Sequence, residues 1–234
     1  LAEADELIRL AQHHGRVVQV GHLERFNPAV QATLPLVTRP MFFEVHRLSV
    51  FSPRSLDIDV VLDLMIHDLD IVLTLANSPL VEVRAVGLPI LSSRVDIANV
   101  RLEFGSGCVA NLTASRVSTE KVRKLRFFQP RQYVSVDYSR QDVLLFTVAG
   151  DASGLSSAVP GAPGSPIQVA KPAVQAQEPL QAELRAFLQA VGRRSRPEVP
   201  LEDGRRALAA ALQIQAAMRE HSRKVNLEAL GGGA

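Results

Sequence analysis

The 234 residues are 47% hydrophobic, carry 26 basic against 24 acidic side chains, and contain one cysteine. That is enough apolar content for a large core, and a net charge of +2 with no long basic run gives no footing for nucleic acid. A lone Cys108 excludes an intrachain disulfide and suits a reducing cytoplasm. No export signal is visible, and the longest apolar stretch is too broken by charge to span a membrane.

The chain opens on Leu1 directly into a helical pattern, with Ala4, Leu7, Ile8 and Ala11 as the apolar stripe and Gly15 as the stop. Arg16–His22 is then a short β-rich run. A helix, a glycine and such a run are the closing unit of a parallel sheet, so an N-terminal portion is expected to lie upstream of Leu1. Asn27 can cap a helix that begins with Pro28 and runs to about Leu36. Arg25 and Asn27 sit beyond that strand's carboxyl end, where ligands bind in such folds, although a cap and a surface arginine would explain them equally well.

Residues 41–51 predict a strand with Phe43, Val45 and Arg47 on one side. A helix follows from about Asp59 to Ala76 and stops at Asn77-Ser78-Pro79. From Leu80 to Ala149 apolar and polar residues alternate with period two, and Gly105-Ser106-Gly107 marks a hairpin turn. The expected architecture is α/β, with an open, mostly antiparallel sheet covered by helices on one face. Residues 150–179 read as a loop with one extended piece at 167–174. Two helices close the chain within 180–222, and the Gly-rich tail is expected to be disordered.

Helix 59–76 is apolar on most sides yet carries Asp63, His67 and Asp70, which the α-helical repeat places near one another. An Asp one turn before a His can fix the imidazole and stabilise its charged form, making His67 a proton carrier near neutral pH. A buried histidine satisfied by a carboxylate for structural reasons is equally compatible. A metal set of Asp63, His67 and Asp70 with His22 or His46 is a third reading, unsupported by any tight ligand signature.

Four motifs occur in order: Val20-Gly21-His22 through Arg25-Phe26-Asn27-Pro28; Asp63-x-x-x-His67-Asp68-x-Asp70; Glu178-Pro179-Leu180-x-x-Glu183-Leu184-x-x-Phe187-Leu188; and Glu202-Asp203-Gly204. Together they resemble the Gfo/Idh/MocA family of NAD(P)-dependent sugar oxidoreductases. The resemblance implies a dinucleotide-binding Rossmann domain, of which residues 1–24 would be the end, and a substrate-binding and oligomerising domain over 25–234. It places Asp63 and His67 on the catalytic pair, with His67 taking the hydroxyl proton and Asp63 orienting or polarising the substrate. It puts Arg25 beside the cofactor (NAD or NADP) and Asn27 and Asp59 at the substrate.

The family's Gly-rich phosphate turn and the lysine of its Glu-Lys-Pro motif are absent from these residues, so the stretch as written is not expected to turn over alone. Asp57-Ile58-Asp59 and Met65 replace glycines common in relatives, and the run from Arg47 to His67 looks most like the nucleotide-sugar branch, in which UDP-N-acetylglucosamine-type 3-dehydrogenases occur. Arg47 and Arg54 would then suit a diphosphate or sugar carboxylate. The expected partners are a sugar or nucleotide sugar and further copies of the chain, joined through the open sheet, with neither nucleic acid nor membrane involved. A non-catalytic binding module of the same fold is the alternative.

Overall fold

The computed structural model describes residues 1–53, 56–149, 159–162 and 165–226. Arg54, much of the 150–179 loop and the glycine tail lie outside them. Alternation in the sequence becomes one eight-stranded sheet: β1 (Phe42–Leu48), β2 (Leu80–Leu88), β3 (Ile97–Phe104), β4 (Val109–Ser115), β5 (Val122–Gln129), β6 (Gln132–Asp137), β7 (Asp142–Val148) and β8 (Ile167–Ala170). The spatial order is β2-β3-β4-β1-β5-β6-β7-β8. Among the described residues only β1 and β4 run parallel, and every other pair is antiparallel.

Period-two alternation sends Phe43, Val45 and Arg47 of β1 to the covered face, while Glu44, His46 and Leu48 point to the open one. The helices α2 (Pro28–Thr33), α3 (Ile66–Ala76) and α5 (Leu201–Lys224) cover that inner face. Helix α3 is buried on nearly every side, with Leu69 and Val72 fully enclosed and Asp68 and Asp70 buried as well. It ends at Asn77, whose φ of 42° is the left-handed stop foreshadowed by Asn-Ser-Pro. Cys108 is 1% exposed, and burial pushes its thiol up to about 11, so it stays an unreactive thiol at neutral pH.

Two regions depart from expectation. The Arg16–His22 run makes only one β-bridge, Gln19 to Pro200. A strand needs a hydrogen-bonding neighbour along its length, and no strand of the described residues lies beside this one. Helix α1 (Ala2–His13) buries no residue at all, and Leu7 is 56% exposed. Helix α4 (Pro179–Arg193) leaves Leu184, Leu188 and Val191 exposed and buries only Ala190.

Helix α5 ties the parts together. Gln215 donates to Asp59, Arg205 pairs with Asp5 of α1, and Asp203 reaches Arg25. Gly204 has a steric reason to be glycine: a Cβ there would stand 2.7 Å from Cγ2 and 3.3 Å from Cβ of Val20. Gly204→Ala is therefore expected to lose about 1–3 kcal/mol, read as a lower midpoint in urea, because the Val20 segment must shift bodily.

Candidate active site

The helix carrying Asp63 and His67 does not begin as an α-helix. Residues Val61–Met65 form a π-turn, with hydrogen bonds spanning five residues, and the α-helical ladder starts at Ile66. Asp59 opens it: its Oδ1 accepts from the amides of Val61 at 2.9 Å and Leu62 at 3.1 Å, while Oδ2 accepts from Gln215 at 2.5 Å. Asp59, expected at the substrate, is thus a helix cap with its second oxygen also occupied.

The π-turn changes which residues align. Four residues make a turn only in an α-helix, so Asp63 and His67 straddle a change of pitch and form no hydrogen bond with each other. Asp63 is half-buried and its carboxylate bonds to no described side chain. The sequence-based picture of Asp63 fixing the imidazole is corrected accordingly: no hydrogen bond joins the two side chains. Asp70 does not join them either. Its side chain has no exposed surface and belongs to an ion pair.

Below His67 lies a buried double clamp. A short 3-10 turn, Leu23–Phe26, brings in Glu24 and Arg25. Arg25 donates Nε to Asp70 at 2.6 Å and Nη2 to both Asp70 at 2.9 Å and Asp203 at 3.0 Å. Arg47 donates Nε to Asp68 at 2.6 Å and Nη2 to Asp68 at 2.9 Å and Glu24 at 3.0 Å. Both are two-pronged guanidinium–carboxylate pairs, the geometry that best compensates buried charge. The carboxylates hold Arg47 well above the usual arginine range despite its burial. Tyr138 packs its ring 5.6 Å from the Arg47 guanidinium carbon.

These contacts reassign three residues. Arg47, expected on a diphosphate, is 3% exposed and fully engaged with Asp68 and Glu24. Arg25, expected beside the cofactor, is 8% exposed and committed to α3 and α5. Asn27 caps α2 through the Ala29 amide and donates to Glu24 at 3.2 Å and to the Tyr138 carbonyl at 3.0 Å. All three build the floor of the site. Asp68, Glu24, Tyr138 and Asp203 had escaped notice as site residues. Arg47 was the available signal, because a charge at an inward position of β1, after Phe43 and Val45, demands a buried counter-charge.

On this floor stand two imidazoles. His67 is partly exposed; its Nδ1 is buried without a hydrogen-bond partner, and Nε2 is the nitrogen left open to the surface. Burial lowers its affinity for a proton, and the Arg47 and His22 charges lower it further. His22, 5% exposed, packs edge-to-face against it with ring centroids 5.8 Å apart. A neutral imidazole with one nitrogen open to solvent is a proton acceptor, and Asp63 on the preceding turn adds a second polar contact for a hydroxyl-bearing ligand. Among the described residues no three His, Cys, Asp or Glu side chains gather as a metal set. No helix among them is long and apolar enough to cross a membrane.

The GFO/IDH/MocA C-terminal domain profile matches residues 43–133. The chain is 38% identical over 217 residues to the UDP-N-acetylglucosamine 3-dehydrogenase of Acidithiobacillus ferrooxidans, covering 92% of the chain and 67% of that protein. A solved structure of that dehydrogenase superposes with a TM-score of 0.83. The aldose-aldose oxidoreductase of Caulobacter crescentus, complexed with glycerol, gives a TM-score of 0.76 at 21% identity, covering 94% of this chain and 67% of that one. A levoglucosan dehydrogenase in complex with NADH gives 0.74 at 14% identity, covering 88% and 65%. At these last two identities the likeness is one of fold.

Proposed function

Because the chain belongs to the Gfo/Idh/MocA family of oxidoreductases, we propose that it is the substrate side of an NAD(P)-dependent dehydrogenase that oxidises a ring hydroxyl of a nucleotide sugar, UDP-N-acetylglucosamine at C3. The observation carrying this reading is the 38% identity to a dehydrogenase of that substrate along 92% of the chain. Residues 1–24 belong with the nucleotide-binding domain and residues 25–234 form the substrate domain. The exposure of Leu7 and Leu10 on α1 supports that division.

The residues of this chain do not by themselves make a dinucleotide site. The sequence has no Gly-x-Gly-x-x-Gly turn, and Arg25 is spent on Asp70 and Asp203. The oxidant is the nicotinamide dinucleotide the family uses. What these side chains supply is the proton's route and the substrate's orientation: His67 Nε2 accepts the hydroxyl proton, Asp63 holds the hydroxyl, and the clamp keeps α3 fixed beneath them.

The assay is nicotinamide absorbance on the full-length protein with UDP-N-acetylglucosamine and either NAD or NADP; no turnover with nucleotide sugars would overturn the reading. The pH dependence has a definite sign. His67 must be neutral to accept a proton, and its pKa lies below the ordinary 6.5, so kcat/KM should hold steady as pH falls to about 6.5 and drop only below it. A limb centred above 6.5 would point to another base. The open sheet face, with Glu44, His46 and Arg126 half-exposed, is the surface we assign to contact with a second copy, read by light scattering. The free thiol of Cys108 fits a cytoplasmic setting.

A further inference from the structure

We infer that His22 is the positioning residue of the site, a second imidazole behind His67 that holds the His67 proton on Nδ1 and leaves Nε2 free to act as the base. This deepens the proposed dehydrogenase reading and rests on it for the word "base". The pairing of the two rings rests on geometry, and the direction of the proton on leaving the open nitrogen free for substrate.

Buried polar atoms are nearly always hydrogen-bonded, so the exceptions ask for a reason. Three of the buried unpartnered atoms lie on these two touching rings: both nitrogens of His22 and Nδ1 of His67. A neutral imidazole carries one N–H donor and one acceptor nitrogen. Two perpendicular rings with centroids 5.8 Å apart and no direct hydrogen bond can satisfy one another through one bridging water, if one donates and the other accepts. His67 is the donor in this pairing, because its buried nitrogen is Nδ1 and its open nitrogen is the one available to a substrate.

No carboxylate takes the place that an Asp or Glu usually fills behind such a histidine. Around His22 the charged groups are Asp70, Arg25 and Asp203, and Asp70 and Asp203 are bound to Arg25. Around His67 they are Arg47, Asp68 and Glu24, and both carboxylates are bound to Arg47. Glu183 of α4 stands beside Gly21, with its carboxyl shifted upward by burial. Four of these carboxylates are engaged by the clamp arginines, and Glu183 makes no hydrogen bond to either ring, which leaves His22 as the acceptor. A neutral acceptor differs in consequence from an anionic one: it sets the tautomer without raising the affinity of His67 for a proton, in keeping with the downward shift of both rings.

The test uses full-length protein labelled with 15N at histidine, with His67 assigned by its loss in His67→Asn. The native protein should show His67 protonated on Nδ1. His22→Phe, which keeps an aromatic ring but no acceptor, should move that proton to Nε2, whereas His22→Gln, which restores a carbonyl acceptor, should return it to Nδ1. An Nε2–H tautomer in the native protein, or the same tautomer in native and Phe variants, overturns the inference, and the native spectrum decides even if the Phe variant fails to fold. In turnover, His22→Phe should lower kcat roughly tenfold or more with KM little changed, and Gln should recover part of it. If no nucleotide sugar is turned over, the dehydrogenase reading falls while the spectra still decide the role of His22.

Discussion

His67→Asn is expected to lower kcat by about 10²–10⁴ with KM for the nucleotide sugar changed far less, since general-base proton transfer is worth that much and acts only in the transition state. Its Nε2 is the open nitrogen of a ring otherwise enclosed, so the substitution leaves the clamps below untouched and thermal unfolding should shift little. Steady-state kinetics on purified full-length protein read the result. Turnover within a few-fold of native would remove His67 from the chemistry and leave it a packing residue. Asp63→Asn should behave differently: with no hydrogen bond to His67 and partial exposure, its loss should appear mainly in substrate orientation, as a smaller fall in kcat/KM.

The largest stability effect belongs to Arg47. Arg47→Met leaves Asp68 at 1% and Glu24 at 8% exposure without their common cation, and breaking a buried pair from one side costs about 3–5 kcal/mol. Asp68→Leu should cost less, because it takes two of the three bonds from the buried guanidinium but leaves it paired with Glu24 at 3.0 Å. The double variant should be more stable than the sum of the two losses predicts, because Asp68 is then no longer left without Arg47 and only Glu24 keeps an unmatched charge. Urea unfolding of the four proteins measures the coupling; additive losses would mean that Arg47 and Asp68 do not depend on one another. Arg47→Lys is no rescue, since a single ammonium cannot make two parallel bonds to Asp68 while reaching Glu24.

The sheet was legible because alternation is imposed by geometry: Ala98, Val100, Leu102 and Phe104 could only share a face in a strand, and they do. The segment 60–76 was legible as a helix for the same kind of reason, yet its first turn was not, since a π-turn spans five residues instead of four and leaves no mark in composition. That turn undid the expected Asp63–His67 pairing. The clamps were illegible because Arg47 and Asp68 are separated by 21 positions and Arg25 and Asp203 by 178, and sequence spacing gives no range to a partner brought in by tertiary packing. Arg25 and Arg47 therefore read as ligand-binding arginines when each is fully consumed within the protein. The Glu-Asp-Gly motif gained a physical content: Asp203 closes the Arg25 clamp and Gly204 lets Val20 approach.

The reach of α5 has a consequence for how the molecule comes off the ribosome. Arg25 is synthesised 178 residues before Asp203, and Asp59 is made 156 residues before Gln215. At a translation rate of about 5–20 residues per second, the nascent chain waits roughly 10–35 s for the last ligand of Arg25. Late in that interval, once β8 has been made, α3 has its sheet and one carboxylate of the clamp, but the helix that seals β2 and steadies the cap at Asp59 does not yet exist. A chain stopped in the linker before Leu201 should therefore hold a sheet with an unsealed face, and it is there that a chaperone or a protease would find its grip.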